Sequence, residues 1–298
     1  MFNKQRYTIF FSILKDVEQK GISILYRRKF SMRWFSNLGV KLILLILLSS
    51  SQVMSTAHAS NENNGLRIAT EMKSRNTGWV NSQSDIIMTL RSRSGQEVVR
   101  EMRNKTLEVS GDGDKGLTIF DTPLDVKGTV FLSYSHIEGA DDQWLYLPGL
   151  KRVKRITARN KSGPFLGSEF AFEDLVSFEL EKYSYYFLRD EELNGQDVFV
   201  VQMTPLDEHS GYSRSEVWID HEEFRPQKID YFDRRDTLLK TLTFEGYQLY
   251  IDKIWRPDKQ FMVNHKTGKS TDVEIKNLQF GVDLTEDDFK ENRLPRIR

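Results

Sequence analysis

Cysteine is absent from all 298 residues, and its absence excludes several classes of protein. Without cysteine there is no disulfide framework, no thiol nucleophile and no lipid-anchored N-terminal cysteine. An exported domain of this kind must therefore draw its stability from its hydrophobic core, which about 240 residues can supply.

Histidine is scarce, and the other catalytic signatures are missing. Beyond residue 59 the histidines are His136, His209, His221 and His265. None of them has the spacing of a zinc site, and no G-x-S-x-G elbow is present. The pairs Asp141-Asp142 and Glu173-Asp174 are better explained by turn or cap positions than by acid catalysis, because adjacent residues of a strand point to opposite faces. We therefore expect no enzyme, no metal and no cofactor.

No apolar run is long enough to span a bilayer. The longest, Leu42–Leu48, follows Lys41 and precedes the small-residue segment that ends in Ala57-His58-Ala59. This pattern predicts a signal peptide cleaved after Ala59 rather than a retained anchor.

The apolar core of this signal begins unusually far from the first residue. A start at Met32 would give a signal of ordinary length, and the competing interpretation is a basic amphipathic membrane helix over Ile22–Phe35. Residues 1–59 are thus predicted as the signal region and residues 60–298 as one domain.

Positive charge is not in excess once the signal region is set aside. Nine of the 43 Lys/Arg and two of the 43 Asp/Glu lie within residues 1–59, which leaves a net charge of −7 on the remainder. A nucleic-acid binder needs a basic face, so this class of function is disfavoured.

After a short helix at residues 65–75, the chain shows the alternation of β-strands. Asn194-Gly195 is a hairpin signal, a short helix is expected near Phe172–Leu175, and Thr285 with Asp288 predicts a capped helical turn that buries Phe289. Strands are predicted at residues 85–91, 96–106, 117–120, 128–133, 143–147, 151–157, 183–187, 198–203, 213–219, 227–232, 238–247, 253–255, 261–264 and 270–278. Such regular short strands predict an antiparallel sheet of ten or more strands that closes or pairs into a sandwich.

Two further features allow more than one interpretation. The cationic run of Lys151, Arg152, Lys154 and Arg155 is either a solvated strand edge or a patch that meets anionic head groups or an acidic partner. The many aromatic side chains fit either a filled core or an apolar cavity, because both require the same alternation. Asp112-Gly113-Asp114 is interpreted as a solvated hairpin tip.

Three segments resemble the signature blocks of the LolA-like family of outer membrane lipoprotein-sorting proteins. They are D-T-P-L-D-V-K-G-T-V-F-L-S from Asp121, W-L-Y-L-P-G-L-K-R-V-K-R-I from Trp144 and F-L-G-S-E-F-A-F-E-D-L from Phe165. The resemblance implies a mostly β fold, an incomplete antiparallel barrel around an apolar hollow with short helices as a lid. It also implies a periplasmic carrier that shields acyl chains of a lipoprotein or lipid on the way to the outer membrane.

The resemblance further implies which residues carry this function. The loop at 163–167 would lie at the mouth of the hollow, and Arg100 or Arg103 would hold the lid. The run from Lys151 to Arg155 would contact a partner such as an inner-membrane exporter or an outer-membrane acceptor. The expected cavity residues are Met88, Phe120, Phe131, Trp144, Tyr146, Phe165, Phe170 and Tyr185.

Two alternatives to a carrier remain open from the sequence. The first is a non-carrying periplasmic interaction module of an RND-type exporter, and the second is an envelope hydrolase. The hydrolase has the weaker basis, because no candidate nucleophile or acid pair supports it.

Overall fold

The structure, a computed structural model, describes residues 60–297. The predicted signal peptide over residues 1–59, the start at Met32 and cleavage after Ala59 lie outside the described residues. Within residues 60–297, no helix is both long enough and apolar enough to cross a membrane.

The described chain begins with helix α1 at residues 60–74 and continues as thirteen strands. The strands are β1 (Asn81–Arg91), β2 (Glu97–Leu107), β3 (Lys115–Thr122), β4 (Val130–Tyr134), β5 (Asp142–Leu147), β6 (Arg152–Ile156), β7 (Tyr183–Leu193), β8 (Gln196–Pro205), β9 (Tyr212–Asp220), β10 (Pro226–Asp233), β11 (Leu238–Tyr250), β12 (Ile254–Asn264) and β13 (Ser270–Phe280). Short 3-10 helices lie at Ala158–Asn160, Phe172–Leu175, Leu180–Lys182, Glu286–Phe289 and Glu291–Arg296.

All thirteen strands belong to one antiparallel sheet, in the order β6-β5-β4-β3-β2-β1-β13-β12-β11-β10-β9-β8-β7. Successive strands are neighbours, and the pairing of β1 with β13 joins the two halves. Strands β6 and β7 remain as free edges, so the sheet does not close. The predicted incomplete antiparallel barrel of ten or more strands is confirmed.

The hairpin predicted at Asn194 and Gly195 is present, whereas one pair of predicted strands is not. Asn194 and Gly195 have φ of 54° and 82°, as a two-residue hairpin of this type requires. The two strands predicted at 253–255 and 261–264 are wrong, because they form the single strand β12. Pro257 is tolerated there because β12 pairs with β13 only from Lys259 to Val263, so no ladder bond to β13 is needed at residue 257.

One face of the sheet, here called the inner face, is covered by helix α1 over β7, β8 and β9. Ile68 and Ala69 pack on Val201 and Val217 in a buried cluster. The contact is close because Gly65 has no side chain. A Cβ atom on Gly65 would lie 2.8 Å from the backbone nitrogen of Phe187.

The loop between β6 and β7, residues 157–182, covers the inner face at the other end. It contributes Phe165, Phe170 and Phe172 to a buried cluster on β1 to β6 and β11 to β13. The outer face of β3, β4 and β5 is covered by the C-terminal segment, where Phe289 and Leu294 are fully buried. Both faces of these three strands are therefore buried.

Candidate functional site

The inner face of the sheet is divided into a packed half and an open half. In the packed half, the ring of Phe165 lies 5.8 Å from that of Phe120 and 5.1 Å from that of Phe131, between centroids. Phe172 lies 5.5 Å from Phe165, and Met88 borders the same cluster. The aromatic side chains of the loop therefore cover this part of the inner face.

The open half forms a hollow of about 510 Å³. Its floor is the inner face of β1, β2, β11, β12 and β13, and its walls are the end of α1, residues 174–178 and the turn at 223–226. Apolar side chains on the floor are Ile86, Phe244, Ile275 and Leu278. The volume lies within the range of roughly 300–1,000 Å³ that is typical of sites for small molecules.

Polar side chains form much of the remaining lining of the hollow. They are Ser82, Ser84, Asn104, Thr106, Ser133 and Ser135. The hydroxyl oxygens of Ser82 and Thr106 lie 2.7 Å apart, and the Thr118 hydroxyl donates to Asn104 Oδ1 at 3.0 Å. A surface that is apolar in one part and hydrogen-bonding in another suits an amphiphile better than a pure hydrocarbon.

The rim of the hollow carries charges of both signs. Lys73 Nζ donates to Glu179 Oε2 at 2.8 Å and to the carbonyl oxygen of Phe178 at 2.7 Å. Burial raises the pKa of Asp114 to about 6, although the positive charge of Lys73 opposes the shift. Asp114 was interpreted as part of a solvated hairpin tip, and its partial burial at the rim corrects that prediction.

A second depression, of about 590 Å³, lies between the β4–β5 loop and the β8–β9 loop. Its charged side chains form ion pairs across it: Lys161 with Asp207 at 2.6 Å, and Lys182 with Asp141. Loop residues supply most of these walls, and strand residues such as Gln143 and Ile156 supply the rest. We therefore take the hollow, and not this depression, as the candidate site.

A buried ion pair holds the β6–β7 loop on the sheet. Lys240 Nζ of β11 lies 2.6 Å from Asp174 Oδ2, with both side chains 4% exposed. Asp174 also accepts hydrogen bonds from the Ala171 backbone N–H at 2.6 Å and from the Tyr212 hydroxyl at 2.8 Å. Burial, together with the charge of Asp174, holds the pKa of Tyr212 well above its usual value.

Most of the predicted cavity residues lie on the inner face but not in the hollow. Met88, Phe120, Phe131, Phe165 and Phe170 are members of the packed cluster. The loop at 163–167 lies in this packed half, and it was predicted at the mouth of the hollow. None of these residues is among those that line the hollow.

The remaining three cavity residues lie elsewhere, which corrects the prediction. Trp144 is opposite Leu132 and Tyr146 is opposite Val130, on the outer face beneath the C-terminal segment. Tyr185 packs beneath α1, where its hydroxyl donates to the carbonyl oxygen of Leu180 at 2.9 Å.

The two predicted lid arginines differ in burial and in hydrogen bonding. Arg100 is buried, and its Nε and Nη1 atoms have no hydrogen-bond partner. Burial lowers the pKa of Arg100, and the negative charge of Asp125 opposes the shift. Arg103 instead forms two hydrogen bonds of 2.8 Å to the carboxylate of Asp121, on the outer face. Arg103 therefore does not hold the loop.

The predicted partner-contact run lies on or beside the free edge strand β6. Lys151, Arg152, Lys154 and Arg155 are all exposed, and Arg155 forms an ion pair with Asp142. This placement agrees with either sequence interpretation, a solvated edge or a contact surface.

Sequence reasoning did not identify the residues that line the hollow. Ser84, Asn104 and Gln260 occupy single positions in alternating strands, with no motif around them. The alternation does place Ser82, Ser84 and Ile86 on one face of β1, but it does not show that this face is left uncovered. Within residues 60–297, no cluster of three or more acidic or histidine side chains could hold a metal ion.

Comparisons with known proteins reveal clear relatives. A family model described only as an uncharacterized protein matches residues 112–296. A crystal structure from Vibrio parahaemolyticus, provisionally named an outer membrane lipoprotein-sorting protein domain, is 56% identical with a TM-score of 0.78, and the match covers 79% of this chain and 100% of that one. Comparison with curated proteins finds no match.

Two more distant structures share the same architecture. A DUF1329 family protein from Desulfovibrio piger is 27% identical with a TM-score of 0.74, and the match covers 78% of this chain and 99% of that one. A LolA superfamily protein from Nitrosomonas europaea is 19% identical with a TM-score of 0.61 and coverage of 76% and 97%. At that identity, the last comparison shows the fold alone.

Proposed function

Because the chain belongs to the LolA-like family of outer membrane lipoprotein-sorting proteins, we propose that it is a periplasmic carrier that binds acyl chains in the hollow. Lipoprotein sorting is a transport activity and needs shelter from water rather than a catalytic group. The cargo is an acyl chain of a lipoprotein or lipid, which the protein moves toward the outer membrane. No cofactor takes part in the proposed activity.

The observation that carries this proposal is the uncovered stretch of inner face. Ile86 and Ile275 are directly opposite each other on β1 and β13, and both line the hollow. They also pack against the buried cluster of the other half, so the apolar surface of the hollow continues into the core. Each methylene group moved there from water gains roughly 0.8 kcal/mol.

A binding assay with a fluorescent acyl probe tests the proposal. We expect the purified chain from residue 60 onward to take up the probe, and the Ile275→Asp variant to bind it at least about tenfold more weakly, since a carboxylate would then face the acyl chain. The matched control is Val263→Asp, which adds the same charge to an exposed position of the neighbouring strand β12.

The control separates loss of the hollow from loss of the fold. Val263→Asp should bind the probe like the wild type, and thermal unfolding of both variants identifies any loss of stability. A wild-type protein that takes up no probe would contradict the proposal and favour a non-carrying interaction module of an exporter. Turnover of an ester probe would instead favour an envelope hydrolase.

A further inference from the structure

Arg256 of β12 lines the hollow and lies among aromatic rings. Its guanidinium carbon is 5.9 Å from the ring centroid of Trp79 and 5.7 Å from that of Phe280. Nη1 donates to Asn76 Oδ1 and, at 3.0 Å, to the carbonyl oxygen of Trp255. These contacts fix the guanidinium but leave its other nitrogen atoms available.

The other cations that line the hollow have carboxylate partners. These pairs are Lys73 with Glu179, Arg75 with Glu71 and Glu223, Lys115 with Glu286, and Arg225 with Asp220. Arg256 has no carboxylate within ion-pair distance in the part of the chain that the structure describes. It is therefore the cation of the hollow that lacks a counter-charge.

The surroundings of Arg256 make this lack costly. Burial lowers the pKa of Arg256 to about 10, while Asp114 and Glu108 act on it only from a distance. The Glu108 carboxylate is already used, because it accepts the backbone N–H groups of Gly78 at 2.5 Å and Val80 at 2.8 Å. A half-buried cation that stays charged at neutral pH is stabilised by any anion that reaches it.

We infer that the cargo bound in the hollow carries an anionic head group, a carboxylate or a phosphate, which pairs with Arg256. This inference rests on the proposed acyl-chain carrier. The acyl chain would lie on the floor formed by Ile86, Phe244 and Ile275, and the head group would meet the guanidinium beside Trp79. An uncharged acylated cysteine would leave Arg256 without a partner.

Competition for the fluorescent acyl probe tests the head group separately from the chain. Dodecanoate and dodecyl phosphate should displace the probe at concentrations at least about tenfold lower than dodecanol, which has the same chain and no charge. In Arg256→Gln this preference should fall to within about twofold of unity, and Arg256→Lys should retain part of it. The two anions also distinguish a carboxylate from a phosphate as the preferred group.

Arg103→Gln is the matched control, because Arg103 is paired with Asp121 on the outer face, away from the hollow. It should keep the wild-type preference for anions. Equal displacement by dodecanol and the anions in the wild type, or an unchanged preference in Arg256→Gln, would overturn the inference and leave the carrier proposal intact. Failure of the wild type to bind the probe would overturn both.

A second, independent inference concerns two loops at one end of the sheet. Leu124 in the β3–β4 loop is 87% exposed and Leu150 in the β5–β6 turn is 66% exposed, the two highest values among the large apolar side chains of the described part. The two loops are adjacent, since a Cβ atom on Gly128 would lie 3.7 Å from Pro148 Cγ. We call this pair of loops the leucine tip.

Cations surround the leucine tip. Lys127, Lys151 and Arg152 are exposed, and none of them forms an ion pair with another of the described residues. Asp125 is an exposed acid of the β3–β4 loop, and the exposed Glu101 lies opposite Thr122 at the start of that loop. The tip therefore carries a net positive charge on a body whose net charge from residue 60 onward is −7.

The shape of the leucine tip is held by its backbone. Within the β3–β4 loop the Lys127 N–H donates to the Pro123 carbonyl oxygen at 2.9 Å, and the Gly128 N–H donates to that of Phe120 at 2.8 Å. A single exposed leucine is ordinary, but two exposed leucines on adjacent loops, beside cations that have no ion-pair partner among the described residues, form a surface that favours a negatively charged bilayer. Each cation near such a surface contributes about 1 kcal/mol.

We propose that the leucine tip docks on an anionic phospholipid surface, with Leu124 and Leu150 inserted at the level of the head groups. Co-sedimentation should show binding to vesicles of phosphatidylglycerol and phosphatidylcholine, and at least about tenfold weaker binding to vesicles of phosphatidylcholine alone. Joint replacement by Leu124→Ser and Leu150→Ser should weaken binding to the anionic vesicles at least about fivefold.

The control variant is Leu206→Ser, since Leu206 is 64% exposed but lies in the β8–β9 loop. It should bind the anionic vesicles like the wild type, whereas Lys151→Gln with Arg152→Gln should weaken binding and reduce its dependence on salt. Absence of binding to anionic vesicles, or an equal loss in Leu206→Ser, would overturn this proposal. An acidic protein surface would then be the alternative partner.

Discussion

Replacing Lys240 by alanine is expected to lower the free energy of unfolding by about 3–5 kcal/mol. The substitution removes one partner of a buried pair and leaves the carboxylate of Asp174, whose side chain is 4% exposed, without its cation. Lys240 Nζ also donates to the carbonyl oxygen of Glu169 at 3.0 Å. Urea unfolding of the variant beside the wild type measures the loss.

The expected loss is large because the same carboxylate organises the loop that fills the packed half. Asp174 accepts a hydrogen bond from the Ala171 N–H at the start of the 3-10 helix Phe172–Leu175. An uncompensated charge on Asp174 would therefore also disturb the position of Phe172 in the buried cluster. Nearby, the Glu173 carboxylate accepts the backbone N–H of Gly211 at 2.8 Å and holds the loop at a second point. The loop should therefore loosen before the sheet unfolds, which hydrogen exchange of residues 157–182 would detect.

Arg103→Ala provides the contrast. Arg103 forms an ion pair with Asp121 of good geometry, but the two side chains are 40% and 37% exposed. A surface pair of this kind contributes about 0–1 kcal/mol, so the variant should unfold close to the wild type. A loss of several kcal/mol in Arg103→Ala, or a loss below 1 kcal/mol in Lys240→Ala, would contradict the importance of burial in this comparison.

The sequence predicts the sheet well because each strand carries its own alternation. Turn residues add the connections, as Asn194 and Gly195 show with their positive φ values. Thr285 and Asp288 likewise predict the turn that buries Phe289. In the structure the Asp288 carboxylate accepts the Thr285 backbone N–H at 3.0 Å. These features depend on neighbouring residues, so they can be read without knowledge of the tertiary fold.

The choice of inner and outer face could not be predicted in the same way. In β4, Phe131 points to one side and Val130 and Leu132 to the other, and all three are buried. Alternation identifies the core face only where the other face is polar. The C-terminal segment covers the outer face here, so the strand is apolar on both sides, and this explains the wrong placement of Trp144 and Tyr146.

The position of the hollow depends on contacts distant in sequence. The β6–β7 loop fills one half of the inner face because Lys240 and Thr271, far along the chain, bind it at Asp174 and Glu169. Arg256 is likewise a single cation in a strand, and only the tertiary structure shows that it lacks a carboxylate partner. Such properties are set by which elements meet, and local pattern does not contain them.

Replacing Phe165 by alanine and replacing Phe289 by alanine should each lower the free energy of unfolding by about 3–5 kcal/mol, because both side chains are almost completely buried. They differ in the face they fill. Phe165 fills the packed half of the inner face, beside the hollow, and Phe289 fills the outer face against β3 and β4. If acyl chains enter the hollow, only the first substitution should change which chains bind.

We therefore expect Phe165→Ala to favour longer acyl chains than the wild type, because it opens space in the buried cluster against which Ile86 of the floor packs. Each additional methylene accommodated there should strengthen binding by about fourfold, which corresponds to roughly 0.8 kcal/mol. Titration of acyl probes of increasing length into both variants measures this dependence, and Phe165→Leu provides a less destabilised form of the same test. Phe289→Ala should retain the wild-type length dependence. An identical length dependence in the wild type, Phe165→Ala and Phe289→Ala would show that acyl chains do not lie against the packed half.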